Sequence, residues 1–136
     1  ADLVAAARLT LESRQAPAGD MTIVLTSEEQ IRDLNRCYAA HDRPTDVLAF
    51  SDGTNDPDTE RVYHGDVVIA LPVARANAAM AGHPVEAELA LLVVHGTLHL
   101  LGMDHATPAQ RRRMWAAQDE VLAALAQRPR SRAALR

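Results

Sequence analysis

Residues 84–105 read PVEAELALLVVHGTLHLLGMDH, and the rest of the chain is best understood outward from them. From Leu89 to Met103 the stretch carries no charge over 15 residues. A membrane span needs roughly 20 mostly apolar residues, so the stretch predicts a helix buried inside a globular core. Pro84 suits a first helical turn, and Gly102 suits the left-handed residue just past a helix end. The helix is therefore expected to run from Pro84 to Leu101. A helix apolar on every side has to be covered on every side.

The flanking sequence supplies that cover. Asp2–Arg14 predicts an amphipathic helix with Leu3, Ala7 and Leu11 on one face, broken by the segment Ala16-Pro17-Ala18-Gly19. Met21–Thr26, rich in Ile, Val and Thr, predicts a strand. Ser27 and Gln30 have capping-box spacing, opening a helix over Glu28–Ala40 with Ile31, Leu34 and Tyr38 inward. Thr45–Phe50 and Tyr63–Ala70 predict two further strands, with Ser51–Glu60 as the loop between them. Leu71–Gly82 predicts a helix. Thr107 and Pro108 have the form of an N-cap and N1 pair and open a last helix to Gln127, followed by a basic tail over Arg128–Arg136. This order predicts an α+β fold, a small mixed β-sheet covered by helices.

Bulk properties agree. A chain of 136 residues, 48% apolar and 24% charged, predicts one domain spanning 1–136 with its own core. The single cysteine, Cys37, excludes an intramolecular disulfide and a cysteine-based metal site, and fits a reducing cytoplasm. No signal peptide or membrane segment is visible. The net charge of −4 is too acidic for a strongly basic nucleic-acid binder, but residues 106–136 alone carry +5, a local positive patch.

The chemistry lies in His95, His99 and His105. Positions i and i+4 share a helix face, so His95 and His99 stand side by side. On a continued helix His105 would point about 120° away and lie ~9 Å further along the axis. A left-handed residue at Gly102 ends the helix and folds His105 back toward the other two. The string His95-Gly96-Thr97-Leu98-His99, closed by Gly102 and His105, thus has the ligand layout of the extended zincin motif, on a central helix. Three neutral imidazoles suit one Zn²⁺ ion per chain and leave a fourth position for water, the expected catalytic element. Peptidases with this layout carry a Glu directly after the first His, where this chain has Gly96. Between Glu88 and Asp104 there is no carboxylate.

These residues carry a resemblance. His95–His105 is similar to the signature of the YbeY family, metal-dependent endoribonucleases of ribosomal RNA maturation. Leu34-Asn35 with Tyr38, then Asp42, Pro44-Thr45-Asp46-Val47-Leu48 and Phe50, form a second block that fits, and Gly65-Asp66-Val67-Val68-Ile69 a third. The resemblance implies an α+β fold, a zinc-type ion on His95, His99 and His105, and a groove for single-stranded RNA. It also implies work on the 3′ end of small-subunit ribosomal RNA and in ribosome quality control, with ribosomal RNA and small-subunit components as partners. Two features depart from the family. Its usual Arg after the Tyr is Ala39 here, and its usual strand before the first helix is absent ahead of Ala1.

Around the three histidines, Asp66 and Asp104 are candidates to accept a hydrogen bond from a ligand imidazole, against a strand or turn role for each. Asn35 and Arg43 are candidate phosphate contacts, against simple solvation. Arg111, Arg112 and Arg113 open the last helix, where cations oppose the macrodipole, and are read as a solvated run. His41, His64 and His83 lack metal spacing. With only four aromatic residues, stacking platforms for bases are scarce. The alternative function is a small zinc metallohydrolase or peptidase, whose carboxylate would have to come from elsewhere, Asp66 first. A structural zinc would require a fourth protein ligand such as His64.

Overall fold

A computed structural model of the chain describes residues 3–38, 45–55, 58 and 61–127. The elements follow in the order α1 (Leu3–Ser13), β1 (Gly19–Thr26), α2 (Glu28–Tyr38), β2 (Val47–Asn55), β3 (Val62–Ala70), α3 (Leu71–Ala81), α4 (Val85–Leu100) and α5 (Pro108–Ala126). The α+β architecture expected from the sequence is present. Three strands form one mixed sheet in the order β1-β3-β2, with β1 parallel and β2 antiparallel to the central β3.

Strand alternation assigns the two faces of the sheet. Val67 and Ile69 of β3, Val47 and Ala49 of β2, and Met21 and Ile23 of β1 pack toward α4, with α1 and α5 completing that layer. Val68 and Ala70, with Leu48 and Phe50, pack on the other side against Ile31 and Leu34 of α2. The helix α4 lies at the centre of the larger layer: Val93, Val94, Thr97 and Leu98 are fully buried. Thr97 Oγ1 donates to the Val93 carbonyl at 2.6 Å, so its hydroxyl is satisfied within the helix.

Two local expectations change. The loop predicted over Ser51–Glu60 is strand as far as Asn55, because Thr54 and Asn55 pair with Tyr63 and Val62 across a bulge. Pairing with β3 outweighs the turn preference of those polar residues. The buried residues of α1 are Ala5, Ala6, Ala7 and Thr10, with Leu3 and Leu9 packed partly buried on the core, rather than a face of Leu3, Ala7 and Leu11. Thr10 joins the buried residues by donating its hydroxyl to the Ala6 carbonyl at 2.7 Å. The helix α2 is described to Tyr38, and the predicted tail Arg128–Arg136 lies outside the described residues. Gly65, at φ 131°, sits where both strand registers shift. A Cβ there would lie 2.1 Å from the Phe50 carbonyl oxygen, so the hairpin closes only over a glycine.

Candidate metal centre

His95 and His99 are half-buried on α4. Past the helix end, Gly102 takes φ 95°, its N–H donates to the His99 carbonyl at 3.0 Å, and the Met103 N–H donates to the Leu98 carbonyl at 3.1 Å. This pair of bonds is a Schellman closure, which satisfies the last carbonyls and reverses the chain. A Cβ at Gly102 would meet nothing within 4 Å, so glycine serves the backbone there, not the space.

The reversal returns His105 as expected. Ring centroids are 5.5 Å apart for His95 and His99, 5.3 Å for His95 and His105, and 5.4 Å for His99 and His105. One ligand nitrogen from each lies within 4.8 Å of the others. Burial first, and then the neighbouring His95 and His105, hold the pKa of His99 below its ordinary 6.5, against a smaller opposite pull from Asp104. His99 is therefore neutral at pH 7, the state a metal ligand requires.

A residue from another helix completes the arrangement. Gln118 of α5 is buried, and its Oε1 accepts a hydrogen bond from His95 Nδ1 at 2.6 Å. An amide oxygen only accepts, so Nδ1 carries the proton and Nε2 keeps its lone pair for a cation. Three imidazoles, one of them held in the ligand tautomer from behind, fit a zinc-type ion. Trp115, one turn before Gln118, stands nearly perpendicular to His95 and His105 at centroid distances of 6.0 and 5.7 Å. Together with residues 45–49 these side chains line a cavity of about 450 Å³.

The other candidates divide clearly. Asp104 stays beside the site, but its Oδ1 accepts the His105 backbone N–H at 2.7 Å and shapes the turn, while Gln118 orients His95. Asp66 does not reach the histidines. It shares the parity of Val68 and lines a separate groove of about 660 Å³ on the opposite sheet face, where Tyr63 donates its hydroxyl to it. Asn35 is 4% exposed on α2, which covers that same opposite face. Arg43 and Ala39 lie outside the described residues. His64 is buried with its Nε2 on the Pro17 carbonyl at 3.0 Å, and the metal-type cluster among the described residues has three members, not four.

Gln118 and Trp115 had no signal of their own in the sequence. Their only trace is that positions 111, 115 and 118 share one face of α5. Asp46, which the sequence offers only within the Pro44–Leu48 block, also reaches the cavity. Of the described residues that line the cavity it alone carries a carboxylate, which accepts from Asn77 Nδ2 at 3.4 Å.

Gly96 explains the absent Glu. It lies where α4 presses on the sheet, and a Cβ there would stand 2.7 Å from Val67 Cγ1 and 3.1 Å from its Cγ2.

The match to known proteins decides the family. A profile described as endoribonuclease YbeY covers residues 2–126. The chain belongs to the endoribonuclease YbeY family. A protein named Endoribonuclease YbeY from Nocardioides is 42% identical over 128 residues, spanning 90% of this chain and 86% of its own. Another of that name from Parafrankia is 41% identical over 130 residues, spanning 89% and 82%. A solution structure of a Thermotoga maritima protein superposes with a TM-score of 0.58 at 28% identity, covering 88% of this chain and 79% of its own. Among the described residues of this YbeY family member, no helix is long and apolar enough to cross a membrane.

Proposed function

We propose that the chain is a single-strand-specific, zinc-dependent endoribonuclease that matures the 3′ end of small-subunit ribosomal RNA and serves ribosome quality control in the cytoplasm. The observation that carries this reading is the convergence of His95, His99 and His105 on one open cavity in a chain of the YbeY family. A zinc-type ion held there supplies a Lewis acid for a phosphodiester oxygen and a means of activating water. The chain's own residues do the rest. Gln118 fixes the tautomer of His95, burial keeps His99 neutral, and the Gly102 turn holds His105 in reach. Asp46, on the cavity wall, is the carboxylate available to accept a proton.

The peptidase alternative is disfavoured by Gly96. A carboxylate after the first His is the general base of that chemistry, and the approach of Val67 leaves no room for its Cβ. Asp66, the first candidate to replace it, lines the groove on the other side of the sheet. Labelled single-stranded RNA, offered to the wild-type chain and to His99→Ala purified side by side, tests the reading. Cleavage and bound metal lost together, with an unchanged circular dichroism spectrum, are expected. Equal cleavage by the metal-free variant overturns it.

A further inference from the structure

We propose that Trp115 and Arg111 form a nucleotide subsite beside the three histidines, the indole stacking one base and the guanidinium taking an adjacent phosphate. The inference rests on the ribonuclease reading and goes beyond it by naming where the substrate is gripped. The buried residues of α5 are Met114, Ala117, Gln118 and Val121. Trp115 is not among them: it is 45% exposed, and it lines the same cavity as His95, His99 and His105. It is the chain's single tryptophan. An indole in the wall of a partly polar cavity offers a π-face that every base can use.

Arg111 lies one turn before Trp115 and two before Gln118, on the same face of α5. Its Nη1 donates to the His105 backbone carbonyl at 3.5 Å, a long bond that places the guanidinium beside the third histidine, with further N–H donors for a phosphate. None of the described residues that line the cavity is an Arg, and Arg111 joins it from outside through the His105 carbonyl. Base on indole and phosphate on guanidinium sit one helical turn apart, the scale of a single nucleotide.

The test uses the metal-loaded chain and a 2′-O-methyl uridylate pentamer, with an abasic pentamer of the same length as its control. Saturable quenching of tryptophan emission by the first and not by the second is expected, and with one tryptophan the signal has one source. By fluorescence anisotropy of a labelled pentamer, Trp115→Leu binds about 5- to 150-fold more weakly, the effect of losing one stacked base, and Trp115→Phe recovers part of the loss. In cleavage assays the same variant raises KM far more than it lowers kcat. Arg111→Gln lowers the salt dependence of binding by about 0.7 in log–log slope. Binding without quenching, and with equal affinity in Trp115→Leu, overturns the subsite and leaves the ribonuclease reading standing. Neither binding nor cleavage of any RNA by the loaded chain overturns both.

Discussion

The hydrogen bond from His95 to Gln118 is a single contact with a chemical consequence. Without it the imidazole is free to protonate on either nitrogen and to swing. Gln118→Ala is expected to weaken zinc binding about 10- to 100-fold with the fold intact, measured by competition with a chromophoric chelator. His99 gives a second expectation. Its pKa lies below 6.5 in the folded chain, so in the metal-free protein an unfolded chain takes up a proton before the folded one does. Stability is then unaffected above 6.5 and falls as pH drops below it. Thermal unfolding of metal-free protein at pH 7.5 and 5.5 should show a smaller acid penalty in His99→Gln than in wild type. None of this was readable at Gln118 itself. The three histidines are spaced by helix geometry, which sequence carries directly, whereas Gln118 lies 23 residues from His95 and meets it only through the packing of α5 on α4.

At the level of the element, α4 and the turn that ends it act as one device. The helix supplies two of the three histidines at fixed spacing, and the Schellman closure delivers the third. Gly102→Ala adds no clash, since the space beyond it is open, and it costs about 1–2 kcal/mol for a left-handed alanine. The expected outcome is a modest drop in melting temperature with a larger loss of metal affinity, because relaxing the turn moves His105. Equal metal affinity in wild type and variant would refute the role given to the turn. The helix and the turn were legible because Pro84, an uncharged run and Gly102 all speak for the same boundaries. Residues 51–55 were not, because Ser, Asp, Gly, Thr and Asn favour a turn locally and only the partner strand β3 makes them extended. Asn35 shows the same limit: a polar residue on an amphipathic helix reads as exposed until the sheet beneath it is known.

On the scale of the whole molecule, the core does not pass through the three-histidine cluster. Val67, Ile69, Val93, Val94, Leu98, Met114 and Val121 join the sheet, α4 and α5 behind the histidines. Removing metal with a chelator should therefore leave a cooperatively folded chain with unchanged far-ultraviolet circular dichroism and a lowered melting temperature, as for any ligand that binds the folded state. Collapse on chelation would instead mark a structural zinc. The two sheet faces also separate two environments, the histidine cavity on one side and the groove holding Asp66 on the other. Residues adjacent in sequence alternate between them, which is why Asp66 could be read as a neighbour of the site when only the order of residues was known.

The contact between Gly96 and Val67 has an evolutionary reading. To gain a peptidase's base at position 96, a lineage must first shrink Val67 and tolerate a weakened core, and only then replace the glycine. The reverse order passes through a helix pushed off its sheet. Two chemistries that differ by one residue on paper are thus separated here by an ordered pair of changes, the first of them harmful when it stands alone.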